Sequence, residues 1–313
     1  MTITFKNVGQ GDSIVIQWED DGQERICIID CNILGRTNPV IEHLRSITDL
    51  KEIEFILLSH PHADHYSGME ELLAFCDKNN IQINYFLHTC QSVPEYLRIA
   101  TVTNYEADTL GSLFKFAQKL HKAGRINNFG HLNAGAPGDY TFNSRWAMRI
   151  LSPSHEEISA FNKLVHKPAQ LKDGETYRSN LLSTVIKIYD KNTHVLLTSD
   201  AEQAVFKRIL RRSSGQFTKS MLILGQASHH GALTNYFEKF WKNQAYIQAC
   251  PMAISVGSNG YGHPSEDVTS SLVNMGYHVV TTSGVTTGQS MTEILLDSMS
   301  TAANSGKDLV YRL

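Results

Sequence analysis

The chain has 313 residues, 42% of them hydrophobic, with a formal charge of −3 and a pI of about 6.5. That length and apolar content suit one large layered α/β unit, and the acidic balance excludes attachment to nucleic acid through a uniformly basic surface. Five cysteines (Cys27, Cys31, Cys76, Cys90 and Cys250) are odd in number and form no C-x-x-C pair, so no disulfide framework is expected.

At the N-terminus no basic stretch leads into an apolar one, and no apolar run reaches the roughly 20 residues needed to cross a bilayer. A soluble cytoplasmic protein without a membrane partner is the expectation. In chain order, residues 3–18 are apolar around the break Val8-Gly9-Gln10-Gly11-Asp12, and 26–29 form a second apolar run that ends at Asp30. Joined by the acidic turn 19–23, they predict a β-hairpin. A helical stretch at 39–45 follows, then a strand at 53–58. That strand runs into Ser59-His60-Pro61-His62-Ala63-Asp64-His65, with a helix from Met69.

Residues 83–87 predict a further strand, and 105–123 an amphipathic helix from the spacing of Leu110, Leu113, Phe114, Ala117 and Leu120. The Gly- and Asn-rich 127–143 reads as loop, and 146–151 as a returning strand. After Ser179-Asn180, residues 181–189 and 194–198 predict a hairpin that ends at Ser199-Asp200. Then come a helix at 202–212, a strand at 221–224, His229-His230-Gly231, a helix at 235–242 and a strand at 252–256. Tyr261-Gly262-His263-Pro264, a helix to Met275 and a strand at 278–282 complete the pattern. Residues 1–313 are expected to form a single domain, with an insert or rim over the site at about 90–177.

Three histidines and an aspartate within six positions after an apolar strand put nitrogen and oxygen donors together at a strand-to-helix turn, which suits a divalent transition metal. His60, His62, Asp64 and His65 are therefore candidate ligands. Asp200 also ends a strand and could give one oxygen to each of two ions, or could merely cap the next helix. Either imidazole of His229-His230 could complete a shell, with His230 preferred as ligand and His229 left for substrate or proton transfer. Gly231 would let the backbone approach a metal or phosphate closely. Asp30 is suited to accept the free ring N–H of a ligating histidine. His263 would be a phosphate contact or proton donor. The basic run Lys207, Arg208, Arg211, Arg212 and Lys219 reads first as a solvated helix face and second as a nucleic-acid contact.

His60-x-His62-x-Asp64-His65 resembles the signature of the metallo-β-lactamase fold superfamily. The resemblance implies a four-layer αβ/βα sandwich in which the first histidine pair serves one metal and the Asp-His pair a second. Val8-Gly9-Gln10-Gly11-Asp12-Ser13, Ile28-Ile29-Asp30, Ser179-Asn180, Leu196-Leu197-Thr198-Ser199-Asp200, His229-His230-Gly231 and Ser255-Val256-Gly257 with Tyr261-Gly262-His263-Pro264 together resemble a subgroup. It comprises the soluble domain of the competence protein ComEC and its stand-alone relatives. The likeness covers both ends of the chain but not the middle.

Most superfamily members carry a histidine about where Asn180 falls, whereas the ComEC-like group resembles this chain in having asparagine. The first metal would then lack one protein ligand, and Asn180 becomes a candidate substrate contact. Cys31 stands where the subgroup has glycine, and Ala232 where it has serine. Two metals sharing a hydroxide would hydrolyse a phosphorus or carbonyl centre. The expectation is a Zn- or Mn-dependent phosphodiesterase, with Asp64, His229 and His263 as its catalytic set and nucleic acid as substrate. A hydrolase of small phosphodiesters or esters is the alternative, and a silent regulator the least favoured.

Overall fold

The computed structural model describes residues 1–90, 94–135, 138–165, 179–284 and 306–313. Strands β1 (Thr2–Phe5), β2 (Ile14–Asp20) and β3 (Gln23–Ile29) come first, so the apolar 3–18 run is two strands parted at the glycine-containing break. Helix α1 (Pro39–Arg45), β4 (Glu52–Leu58), α2 (Ala63–Tyr66), α3 (Met69–Lys78), β5 (Gln82–His88), α4 (Pro94–Ala100), α5 (Asn104–Lys122) and β6 (Ile126–His131) follow. Strands β7 (Tyr140–Thr141) and β8 (Ala147–Ser152), α6 (His155–Val165), β9 (Val185–Tyr189), β10 (Thr193–Leu197), α7 (Gln203–Phe217) and β11 (Met221–Gln226) lead into the second half. Helix α8 (Glu238–Lys242), β12 (Ala245–Tyr246), β13 (Pro251–Ile254), α9 (Glu266–Asn274), β14 (His278–Thr281) and β15 (Leu309–Arg312) complete it.

Among the described residues the strands form two sheets, one ordered β15-β1-β2-β3-β4-β5-β6 and the other β14-β13-β11-β10-β9-β8-β7, with β12 beside β11. Alternation along each strand divides the side chains between layers. In β3, Ile26 and Ile28 pack with Leu72, Leu110 and Phe114 of α3 and α5, while Cys27 and Ile29 face the other sheet. In β10, Leu196 packs with Phe206, Phe240 and Leu272 of α7, α8 and α9, while Val195 and Leu197 meet Phe55 and Leu57 across the middle. Helices, sheet, sheet, helices is the predicted four-layer αβ/βα sandwich. Burial on both faces explains why 55–58 reads as an unbroken apolar run.

Residues 127–143, expected to be loop, contain β6, which pairs in parallel with β5 from Ile83↔Ile126 to His88↔His131. Its asparagines have turn-like composition, but here they bond along the sheet edge: Asn127 Nδ2 donates to Asn84 Oδ1 at 2.8 Å and Asn128 Nδ2 to the Asn84 carbonyl at 3.1 Å. The 90–177 stretch also supplies α5 to the outer helical layer and β8 to the second sheet; its residues 91–93, 136–137 and 166–178, including Tyr177, lie outside the described residues. No helix among the described residues is long and apolar enough to cross a membrane.

Candidate metal centre

The segments carrying Asp30, His60 to His65, Asp200 and His229-His230 each leave the C-terminal end of a strand, where layered α/β proteins gather their ligands. After β4, Ser59 and His60 are fully buried; His62 stays extended (φ −93°, ψ 145°), and the single turn of α2 then places Asp64 and His65 side by side. After β10 the chain turns at Ser199 (φ 45°) into Asp200. After β11, Gln226 leads to a 3-10 turn over His229–Gly231. Asp30, Ser199, His229 and His230 all hold positive φ (61°, 45°, 52° and 54°) without being glycine. Each such residue costs on the order of 1–3 kcal/mol, a strain that concentrates at ligand clamps.

Two donor groups result. One atom each from His60, His62 and Asp200 lie within 4.8 Å of one another, as do atoms from Asp64, His65 and His230. Asp200 lies between them: Oδ2 is 3.5 Å from His60 Nε2, while Oδ1 is 3.5 Å from His65 Nε2 and 3.8 Å from His230 Nε2. His230 Nε2 is 3.3 Å from Asp64 Oδ2. The helix-cap alternative for Asp200 fails because Glu202, two residues on, holds the N-cap position of α7.

The ring nitrogens facing away from the pit are tied down. His65 Nδ1–H donates to Asp30 Oδ2 at 2.7 Å, and Asp30 also accepts from Ser59 N at 2.7 Å and Ser59 Oγ at 2.6 Å. His230 Nδ1–H donates to the Ser255 carbonyl at 2.7 Å. Both arrangements turn Nε2 inward, where His65 Nε2, His230 Nε2 and Asp200 Oδ1 are buried without a hydrogen-bond partner. Converging orphan donors of this kind fit a divalent cation.

Charge tells the same story. Burial opposes a charged His65, but Asp200, Asp30 and Asp64 outweigh it and hold its pKa well above the ordinary value. Burial is likewise overcome at His230, whose pKa rises to about 9 beside Asp200 and Asp64. At Asp200 burial is outweighed by His229, His65, His230 and His60, and the carboxyl stays well below the usual range. His60 goes the other way, pushed down to about 3 by burial and by His65. Protons on His65 and His230 therefore balance the carboxylates, a role that a cation can take over.

The structure brings His60, His62, Asp64, His65, Asp200 and His230 together, with Asp30 behind His65. His229 is at the rim, its Nε2 3.5 Å from Asp200 Oδ2 and its Nδ1 held by Asn235 Oδ1 at 2.9 Å. The ring of His263 is 5.4 Å from that of His229. At Gly231 the N–H donates to the Ser228 carbonyl at 3.1 Å, and a Cβ there would meet Pro264 Cβ at 2.7 Å, so close packing by itself calls for glycine at this position. The Cys31 thiol points at Asn38 Oδ1, 3.4 Å away, and joins no donor group. Sequence reading missed Asp12, a buried carboxylate that falls within 4.8 Å of both Asp200 and His230 donors. Its signal was an acidic residue placed directly after the Gly9-x-Gly11 break.

A groove of about 680 Å³ opens beside the centre and is lined by His62, Ser179, Asn180, Glu202, Lys207 and His229, among others. Asn180 Oδ1 has no hydrogen-bond partner among the described residues. The basic run is only partly solvated: Arg208 is buried on Glu157, and Arg211 and Arg212 pair with Glu156.

No family model and no curated protein matches the chain. Among solved structures it is similar over the whole of both chains to the metallo-β-lactamase fold protein YhfI from Bacillus subtilis, at 11% identity and a TM-score of 0.50. It also aligns with a diphosphatase of the PhnP family (10% identity, 100% of this chain and 98% of that one, TM-score 0.43). Zn²⁺-bound PqqB from Methylobacterium extorquens aligns at 8% identity over 90% of this chain and 98% of that one, with a TM-score of 0.47. The layered sandwich described above and its likeness to YhfI establish that this chain has the metallo-β-lactamase fold.

Proposed function

We propose that this chain is a metal-dependent hydrolase, specifically a phosphodiesterase that cleaves nucleic acid, akin to the stand-alone relatives of ComEC, with 1–313 acting as one domain. The observation that supports it is Asp200 reaching into two donor groups with one oxygen toward each. His60, His62 and Asp200 would hold one divalent ion, and Asp64, His65, Asp200 and His230 a second, either Zn or Mn. When bound, such ions supply Lewis acidity to a phosphoryl oxygen and acidify water near neutrality.

The chain's own residues do the rest. Asp30 fixes the His65 tautomer, and the Ser255 carbonyl fixes that of His230. His229, oriented by Asn235, is placed to pass a proton to the leaving oxygen, with the ring of His263 beside it. Asn180 orients the substrate from the groove wall. Lys207 lines both the groove and a second pocket with Arg211, Lys239 and Phe237, and this local basic character favours a polyanion.

The second reading, a small phosphodiester or ester, is favoured by the groove's 680 Å³, which matches a single small ligand, and by the pairing of Arg208, Arg211 and Arg212 with glutamates. Purified protein with Mn²⁺ or Zn²⁺ should be assayed on single-stranded DNA, duplex DNA, RNA and bis-p-nitrophenyl phosphate, with Asp64→Ala as control. Cleavage of the small diester without any polymer would overturn the nuclease reading. Activity that survives Asp64→Ala would overturn the metal mechanism.

A further inference from the structure

The break between β1 and β2 is seated against the metal centre more tightly than a connecting loop requires. Gly11 (φ +128°) lies so close to Asp64 that a Cβ would fall 2.3 Å from the Asp64 carbonyl oxygen, and the next N–H, that of Asp12, donates to the same oxygen at 3.1 Å. Asp12 is 2% exposed. Its Oδ2 accepts from Gln226 Nε2 at 2.9 Å, and Gln226 Oε1 in turn accepts from the N–H groups of Thr198 and Ser199 at 2.9 and 3.1 Å, fixing the turn that presents Asp200. Its Oδ1 has no hydrogen-bond partner.

Three other buried polar atoms among the described residues of the centre share that state. Asp12 Oδ1, His65 Nε2, Asp200 Oδ1 and His230 Nε2 are all buried and unsatisfied, and Asp12, Asp200 and His230 supply donors within 4.8 Å of one another. A buried carboxylate oxygen left bare is costly, and a cluster of such atoms favours a cation.

We propose that Asp12 is a further ligand of the Asp64–His65–His230 position. The proposal rests on the two-metal reading and extends it to the character of one site. With Asp12, that position offers the carboxylates of Asp12, Asp64 and Asp200 and the imidazoles of His65 and His230. The other side has His60 and His62 with a single carboxylate, Asp200. Zn²⁺ fills its usual shell with four donors, whereas an oxygen-rich, higher-coordinate shell suits Mn²⁺. Asp12 therefore matters more for Mn²⁺ than for Zn²⁺.

The test compares wild type with Asp12→Asn after chelator treatment, titrating Mn²⁺ and Zn²⁺ separately by calorimetry. The amide oxygen introduced by this substitution can still accept from Gln226 Nε2, so the chelator-treated variant should melt no lower than wild type. The expected result is a loss of Mn²⁺ affinity of about tenfold or more with a smaller loss for Zn²⁺. Unaltered Mn²⁺ binding would overturn the proposal and leave Asp12 as a structural carboxylate held by Gln226. A variant-free check is a crystal structure of Mn²⁺-loaded wild type, in which an Asp12 oxygen should stand within the roughly 2.0–2.6 Å range of hard cation–oxygen bonds, and any clearly longer distance refutes ligation. Wild type that takes up no divalent ion would instead overturn the underlying metal reading.

Discussion

Replacing protons with metal at His65 and His230 should be directly measurable. In chelator-treated protein at pH 7 both imidazoles are charged, His230 with a pKa of about 9 and His65 well above its ordinary value. A ligating imidazole must be neutral, so loading the Asp64–His65–His230 position releases about two protons. The apparent affinity should then rise with pH, by about tenfold or about 1.4 kcal/mol per pH unit up to pH 9 from the His230 proton alone and more steeply where His65 also gives one up. Stability runs in the opposite direction without metal. Folded pKa values raised above the unfolded 6.5 mean that the folded state binds more protons between pH 6.5 and 9, so stability is full below 6.5 and falls as pH climbs. For His230 alone the loss approaches about 3 kcal/mol by pH 9. Calorimetric metal titrations at pH 7 in buffers of different ionisation enthalpy count the protons released, and urea melts from pH 6 to 9 follow the stability. Release of fewer than about one proton, or a chelator-treated protein that gains stability across that range, would refute the charge balance drawn for the pit.

Two further outcomes follow from groups away from the metal. Arg208 and Glu157 form a buried pair that ties α7 to α6, and Arg208 also donates to the Leu151 carbonyl at 2.7 Å. Glu157→Ala should cost about 3–5 kcal/mol in urea unfolding by stranding the guanidinium, while Glu157→Leu combined with Arg208→Met should recover most of it; equal losses in both would contradict this. His88 is fully buried among Phe86, Phe114 and Phe129 with no well-formed hydrogen bond to either ring nitrogen among the described residues, and burial pushes its pKa down to about 3, the His131 ring adding to this and the polar main chain of Cys90 offsetting it only in part. The folded state then binds fewer protons than the unfolded state between pH 3 and 6.5, so His88 removes about 3 kcal/mol by pH 4. His88→Phe should flatten the acid limb of a pH–stability curve, and an unchanged limb would count against it.

Legibility tracked sequence distance. His60, His62, Asp64 and His65 declare themselves because one strand end and one helical turn hold them all. Asp200 was readable as a polar end to an apolar strand, although only the structure moved the cap to Glu202. The roles of His229 and His230 stayed open because both share a turn and differ only in what lies behind them, Asn235 for one and the Ser255 carbonyl for the other. Asp12 stood in a visible motif but its place at the centre was not readable, for a stronger version of the same reason: its side-chain partner Gln226 is 214 residues away. At the sheet edges, β6 was hidden by asparagines that bond laterally, and β15 by having its partner, β1, at the opposite end of the chain.

The donors come from both halves of the sandwich, and so do the bonds beneath them: Ser199 Oγ donates to Ser59 Oγ at 2.8 Å, and Thr184 N to the Ser59 carbonyl at 3.2 Å. A bound ion would thus be a removable rivet between two plates that are otherwise joined by an oily seam and a few hydrogen bonds. Sliding one sheet over the other would then require the ion to let go first. The stability of the sandwich against opening is therefore where the metal supply of its surroundings would be felt.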